Sequence, residues 1–382
     1  MAKESALVLS ALGHENFEVK EYPVPEPADD AILVKVAMCG ICGTDVHIVS
    51  GACPILLPFV LGHEWYGPVV AMGKKVKADF QSAPVKVGDL VTPALGKCGK
   101  CWWCRNTARD QLCEVMAFPG VCGYEECNIW PHFVGGWGPY VYLPASVPFY
   151  KIPAGMTPDE MVLAEPFDVM TRVWERCVSA SCTIVGEGVD ITQTMVIQGQ
   201  GPIGSCLSVI ARVHGMANII VIDPIQARVD KSLKLLGTKH GINRKDCKTV
   251  EALVDAVKDL TGGRGADLVV ECTGEPPAFG EALKMVRRGG TVVEMGHFSD
   301  TGTVAVNPHV DFCHKDVQVF GMWAHTARDM KVALETMVRA KAMGIKFGDI
   351  VLPEKIRSLD KIPEGMKKHE AHELPGKICY MP

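Results

Sequence analysis

The chain has 382 residues, 48% hydrophobic and 22% charged, with a net charge of −5. That length allows two or three domains and a sizeable core, and the composition is too apolar for a disordered chain. With 39 basic against 44 acidic residues and no long basic run, a nucleic-acid or anionic-membrane surface is not expected.

From the N-terminus to about Pro153, short β-branched runs alternate with Gly, Pro and Asp turns. The runs Ile32–Ala37, Pro68–Ala71, Asp89–Val91 and Tyr140–Leu143 predict strands of a β-rich, barrel-like unit. From Thr194 the rhythm becomes strand–helix–strand. Strands are predicted at Thr194–Gln198, Asn218–Ile222, Asp267–Glu271, Thr291–Met295 and Val317–Gly321, and helices follow Gly204, at Ala227–Leu236 and at Val250–Leu260. Repeated β–α alternation with apolar strands predicts an α/β, doubly wound parallel sheet. A helix at Ala327–Ala342 precedes a tail too small for its own domain, which is expected to return to the N-terminal unit. Apolar runs of a few residues, as at Ile219–Ile222, are too short to span a bilayer. The opening Met-Ala-Lys-Glu-Ser has no apolar signal region, so a cytoplasmic protein is expected.

Three motifs carry chemistry. In Gly199-Gln200-Gly201-Pro202-Ile203-Gly204, a strand precedes and a helix follows, and the next strand ends in Asp223. Glycines there permit a tight turn and close approach to a pyrophosphate at a helix N-terminus. A carboxylate at Asp223 would accept from ribose hydroxyls and repel a 2′-phosphate, favouring NAD over NADP; its plainer reading is a helix cap before Pro224. The second motif is Cys98-x2-Cys101-x2-Cys104-x8-Cys113. Four thiolates at this spacing can close a structural zinc site on a loop without its own core. An iron–sulfur cluster is the rival, but the ferredoxin-type run continues with a nearby fourth cysteine and proline, and here Glu114 follows Cys113.

The third motif is Cys42-Gly43-Thr44-Asp45-Val46-His47 with Gly62-His63-Glu64. Together these residues offer a thiolate, an imidazole, a hydroxyl and carboxylates, the makings of a catalytic zinc with three protein ligands and one open position. Glu165, in Glu165-Pro166-Phe167, could add a carboxylate, or be a helix-cap residue. Cys39, three residues before Cys42, reads as a small core cysteine in preference to a redox partner.

Gly62-His63-Glu64-Trp65-Tyr66-Gly67 with Gly73 and Val76, taken with the other motifs in this order, resembles the medium-chain, zinc-dependent alcohol dehydrogenases. Glu165-Pro166 is similar to the sorbitol and threonine dehydrogenase branch. The resemblance implies a GroES-like catalytic domain with a structural zinc lobe over 1–165, a Rossmann NAD-binding domain over 166–322, and a return to the catalytic domain over 323–382. It implies two zinc ions per chain. Cys42 and His63 would be catalytic-zinc ligands, Glu64 and Glu165 would complete the shell directly or through water, and Asp45 would orient His63. Thr44 and His47 would relay the proton. Cofactor contacts would come from Gly199, Gly201, Pro202, Ile203, Gly204, Asp223 and Arg228. A homodimer or homotetramer pairing along Val317–Gly321 is implied, with a small alcohol or ketone as the partner molecule. A catalytically silent NAD- or zinc-binding protein and a zinc-ribbon interaction module are the alternatives.

Three departures from the family pattern stand out: the eight-residue last spacing of the cysteine lobe, an extended linker between Phe80 and Lys86, and a longer segment Glu114–Gly136. Phe118, Trp130, Phe133 and Trp137 in and beside that segment are too apolar for a solvated loop. They are expected at the substrate entrance, at a subunit contact, or in a satellite core around the lobe.

Overall fold

The computed structural model describes residues 2–181, 192–372 and 374–382. In chain order the elements are β1 (Lys3–Leu9), β2 (Phe17–Pro23), β3 (Ile32–Lys35), β4 (Met38–Gly40), α1 (Gly43–Val49), β5 (Phe59–Val60), β6 (Glu64–Met72), β7 (Leu90–Pro93), α2 (Trp102–Asn106), β8 (Tyr140–Leu143), β9 (Phe149–Lys151), α3 (Pro158–Met161) and α4 (Ala164–Ser181). Next come β10 (Thr194–Gln198), α5 (Pro202–Val213), β11 (Asn218–Asp223), α6 (Gln226–Leu235), β12 (His240–Asn243), α7 (Val250–Leu260), β13 (Ala266–Glu271), α8 (Pro276–Met285), β14 (Val286–Glu294) and β15 (Gln318–Gly321). The chain ends with α9 (Ala327–Ala342), β16 (Val351–Ile356), α10 (Ile362–Glu370) and β17 (Lys377–Tyr380). Among the described residues no helix is long and apolar enough to cross a membrane.

The chain divides into two compact units. The first comprises Met1–Asp168, His325–Glu335 and Val351–Pro382. It holds a three-stranded sheet, β2-β1-β5, and an eight-stranded sheet ordered β16-β17-β4-β6-β3-β8, with β7 pairing β6 and β9. Large side chains such as Phe59, Trp65, Phe133 and Trp137 fill its core at 1% exposure or less. One strand trio matters for the site. β17 lies antiparallel to β4, with Cys379 opposite Gly40, and β4 lies antiparallel to β6, with Gly40 opposite Glu64. This ladder gathers the chain's last strand, the segment leading into Cys42, and the His63–Glu64 pair.

The second unit comprises Val169–Ala324 and Thr336–Ile350. Its six parallel strands run β12-β11-β10-β13-β14-β15, so the strand order reverses between β10 and β13. That is the doubly wound topology, which binds ligands at the carboxyl ends of the strands beside the reversal. Buried Val196, Ile220, Val269 and Val292 from four adjacent strands form the sheet's share of the core. The helices follow local signals: Pro202 starts α5, and Thr249 Oγ1 accepts from Ala252 N at 3.1 Å to cap α7.

The sequence pattern and the structure part in three places. β6 starts at Glu64, not Pro68, because pairing with β4 draws the His-Glu motif into the strand. The first turns of α4 have no clean apolar stripe. Glu165, Asp168 and Thr171 point inward with Phe167 and Met170, so polar residues interrupt the buried face. Residues 336–350 cluster with the second unit, where the expectation for 323–382 was a return to the first; Phe347 and Ile350 are fully buried there, next to α5.

Candidate functional site

Cys42 sits at the N-cap of α1, and its backbone N–H donates to Asp45 Oδ2 at 2.9 Å. Asp45 is wholly buried, and its other oxygen lies 3.4 Å from His63 Nδ1, leaving Nε2 as the ring's remaining ligand atom. One carboxylate thus fixes both the helix start and the imidazole. Burial pulls the His63 pKa down, but Asp45 and Cys42 outweigh it and hold the group well above the usual histidine range. Donor atoms of Cys42, His63 and Glu64 lie within 4.8 Å of one another. A zinc ion with bonds of about 2.0–2.3 Å fits such a set with small adjustments. Thr44 Oγ1 is 3.6 Å from Cys42 Sγ. His47 is half-buried in the last turn of α1, outside the ligand group, and burial lowers its pKa.

The carboxylates next to this set have cations of their own. Both Glu64 oxygens accept from Lys377 Nζ, Oε1 at 2.5 Å, and the same ammonium donates to Ile41 O at 3.2 Å. Lys377 is 1% exposed, and although burial opposes it, Glu64 keeps its pKa above the ordinary lysine value. Glu165 is not part of the Cys42–His63–Glu64 group; its Oε1 lies 3.6 Å from His325 Nε2. Burial raises the Glu165 pKa. On its other side His325 Nδ1 meets Asp168 Oδ2 at 2.7 Å. Burial opposes a charged His325, yet Asp168 more than compensates and lifts its pKa to about 9.

Cys98, Cys101, Cys104 and Cys113 form the second ligand group, again within 4.8 Å. Cys101 Sγ is 3.4 Å from Cys104 Sγ and 4.0 Å from Cys113 Sγ. Zinc–sulfur bonds of about 2.3 Å place tetrahedral sulfurs about 3.8 Å apart, between these values. Backbone N–H groups of Cys98, Cys101 and Val115 point at the sulfurs of Cys113, Cys98 and Cys113. Such donors, from Lys100 and Cys101, bring the Cys98 thiol down to about 6, whereas burial pushes Cys104 up to about 12.

The glycine loop has the shape for a dinucleotide. Gly199 has φ +88°, and a side chain on Gly204 would strike the Gly199 carbonyl, so α5 packs directly on the loop. A methyl group on Gly201 would meet only Arg228 Nη1, at 3.9 Å, so the space beside it can take a pyrophosphate. Gly201 caps α5 with no side-chain bond to the helix start. Pro202 and Ile203 form the first turn of α5. Asp223 is more constrained than its place at the end of β11 implies. It is 1% exposed, and its oxygens accept from Gln200 N at 2.7 Å and Ile225 N at 2.8 Å, with Arg228 Nη1 at 3.5 Å.

Two family models match the chain: an alcohol dehydrogenase GroES-like domain over residues 28–154 and a zinc-binding dehydrogenase over residues 202–339. A 5-exo-hydroxycamphor dehydrogenase of Pseudomonas putida is 32% identical over 307 residues, 80% of this chain and 80% of that one. A sorbitol dehydrogenase of Bacillus subtilis is 32% identical over 294 residues, 75% of this chain and 74% of its own. An alcohol dehydrogenase structure from Thermotoga maritima has a TM-score of 0.88 at 26% identity, covering 100% of both chains. The chain belongs to the zinc-dependent alcohol dehydrogenase family. It is an oxidoreductase for small-molecule alcohols, of a family that uses zinc and a nicotinamide dinucleotide, and the silent-binder alternative has no support among these relatives.

Within this alcohol dehydrogenase, the aromatic segment divides by role. Phe133 and Trp137 are 0% exposed and belong to the main core of the first unit, Phe133 meeting Tyr22 and Tyr140 in T-shaped contacts and Trp137 meeting Phe17 at a tilt. The expectation that Phe133 lines an entrance is therefore corrected, because no part of it reaches solvent. Trp130 is 54% exposed and meets Tyr142 in a T-shaped contact. Phe118 lies by the metal site, its ring 6.2 Å from His63 and 5.2 Å from His325. Cys39 is a core residue whose thiol burial holds well above its usual range. Sequence reasoning missed Asp168, His325 and Lys377. Asp168 had a weak signal, one helical turn after Glu165, and Lys377 another, as a cation inside an apolar strand; His325 had none. A third group, Glu271, Glu294 and His297, also lies within 4.8 Å in the second unit. Its Glu294 and His297 line a cavity of about 410 Å³.

Proposed function

We propose that the chain catalyses reversible oxidation of a secondary alcohol or polyol to a ketone with NAD, using a catalytic zinc at Cys42, His63 and a carboxylate from Glu64 or Glu165. A second, structural zinc is held by Cys98, Cys101, Cys104 and Cys113. The observation that carries the reading is the convergence of Cys42 and His63 on one point, with Asp45 gripping both the start of α1 and the imidazole. Bound zinc supplies Lewis acidity toward the substrate oxygen, and bound NAD accepts the hydride. The chain's own residues do the rest. Asp45 keeps His63 Nε2 turned to the site. Thr44 would accept the proton of the substrate hydroxyl while giving up its own, and His47, whose lowered pKa favours the neutral acceptor, would take up a proton on the way out and release it to water. Gly199, Gly201, Pro202, Ile203 and Gly204 seat the pyrophosphate at the start of α5.

The choice of NAD rests on the Asp223 carboxylate. The Arg228 guanidinium 3.5 Å away favours a second reading, in which a 2′-phosphate is tolerated. In this proposal the protein is a homodimer or homotetramer joined through β15, the edge strand of the six-stranded sheet. It works in the cytoplasm, where the unlinked thiols of both cysteine-bearing sites stay reduced.

The test is spectrophotometric. Zinc-replete protein is assayed for reduction of NAD and of NADP against sorbitol, xylitol, a bicyclic secondary alcohol and ethanol. Expected is NADH formation with a secondary alcohol or polyol, absent in Cys42→Ala. No turnover of any secondary alcohol, or equal efficiency with NADP, overturns the corresponding part of the reading.

A further inference from the structure

Beside the proposed metal ligands stands a buried arrangement that the scheme above leaves unused. Glu165 and Asp168 are three residues apart in the first turns of α4, so their side chains share one helix face. His325 arrives from a segment more than 150 residues later and lies between them, Nδ1 2.7 Å from Asp168 and Nε2 3.6 Å from Glu165. All three side chains are nearly sealed from solvent, at 5%, 0% and 8% exposure for His325, Asp168 and Glu165. The imidazole edge is seated on Phe118, whose ring in turn packs beside His63. The backbone next to it is fixed as well, since Thr326 N donates to Asp329 Oδ2 at 2.7 Å at the start of α9. The imidazole thus lies between two carboxylates, paired closely with Asp168 at one nitrogen and facing Glu165 with the other.

The two carboxylates around Cys42 and His63 are not held alike. Glu64 is gripped at both oxygens by Lys377. Glu165 meets, among the described residues, one cation at a longer distance, His325 at 3.6 Å through one oxygen. We propose that His325, steadied by Asp168, is a positioning residue that turns Glu165 so that its other oxygen faces the metal held by Cys42 and His63. The proposal rests on the zinc reading above. It makes Glu165 the adjustable ligand and Glu64 the fixed one. Removing the imidazole leaves Glu165 to swing in its buried space, which weakens metal capture and misplaces the reacting oxygen without touching the substrate. An outer-shell partner of this kind is worth about 10–100-fold in metal affinity or activity.

The test uses the full chain and four variants. These are His325→Phe, which keeps packing on Phe118 and loses both nitrogens; His325→Gln, which can still donate toward Glu165; Asp168→Asn; and Glu165→Gln. Each is measured for zinc affinity at the labile site by chelator competition, for kcat and KM separately, and for thermal unfolding. Expected for His325→Phe is a drop of about 10–100-fold in labile-site zinc affinity and a matching fall in kcat with KM nearly constant. His325→Gln should recover most of it. Combining His325→Phe with Glu165→Gln should be no worse than Glu165→Gln alone, because both act through one carboxylate. Unchanged zinc affinity in His325→Phe, or losses that add in the double variant, overturns the proposal. Where His325→Phe fails to fold, Asp168→Asn and His325→Gln decide by the same affinity readout. Failure of the zinc reading itself is separate: it appears as unchanged zinc content in Cys42→Ala.

Discussion

The two cysteine-bearing sites of the first unit are ordered by opposite means. Cys98, Cys101, Cys104 and Cys113 come from 16 consecutive residues. Among the described residues their loop has a five-residue helix, a three-residue 3-10 turn at Asp110–Leu112 and an isolated bridge between Gly96 and Ala117, and of the four cysteines Cys113 alone is buried. The Cys42 site draws on residues 42, 45, 63, 64, 165, 168, 325 and 377, and each is set in place by a strand, a helix turn or a buried ion pair. The first should need its metal to have a structure, since few apolar contacts offset the entropy of ordering it. The second should keep its shape without metal, since the fold around it is already closed. In the proposed reading the contiguous run would hold metal as a structural element and the dispersed set would hold it as a reagent.

The largest effect that sharpens the contrast is expected from Cys101→Ala. Loss of one thiolate should release the lobe's zinc, and the lobe should become protease-sensitive over Lys97–Cys113 with much reduced yield of folded protein. Limited proteolysis with mass mapping checks it; a lobe as resistant as the parent's would break the comparison. Next comes Phe133→Ala. Deleting a fully buried ring should cost about 3–5 kcal/mol of stability, read by denaturant unfolding, while the ranking of substrates stays the same. A changed ranking would return Phe133 to the substrate path. Smaller still is Asp45→Asn, which keeps the shape but weakens the hold on His63. It should lower zinc affinity at the Cys42 site about 10–100-fold and leave the four-cysteine site as it was.

Much of this was legible in the sequence, and the boundary is physical. The cysteine run, the glycine loop and the strand–helix rhythm of the second unit are local patterns, and the structure places them together as read. His63–Glu64 and Cys42 were also legible, as motifs. Their meeting depends on β4 pairing with β6, Gly40 opposite Glu64, and the Lys377 strand joins only through β17 pairing with β4; no local pattern encodes either contact. His325 and Lys377 come from distant segments for the same reason. Asp223 was read by position alone; the two backbone N–H groups it satisfies appear only once the Gly199 loop folds over it.

The smallest effect lies away from both sites and tests whether buried charge behaves as it does near them. Glu271 is fully buried next to Glu294, and burial first, then that neighbour, raises its pKa to about 7. A carboxyl raised in the folded state contributes stability that is fully present below its unfolded value, near 4.3, and is lost as the pH rises through about 7. Glu271→Gln removes that loss. Its Tm relative to the parent should therefore be more favourable at about pH 8 than at about pH 5, by about 2–4 °C per kcal/mol. A difference independent of pH contradicts the assignment.

The most direct test of the account is stepwise chelation followed by zinc analysis, activity and circular dichroism on the same samples. The starting protein should hold about two zinc ions per chain, one for each ligand group. Mild chelator should remove one ion, abolish alcohol oxidation and leave the spectrum unchanged; the second ion should leave only with harsher treatment, and the lobe should lose its structure with it. Loss of both ions together, or structure lost with the first ion while activity remains, would contradict the separation of the two sites.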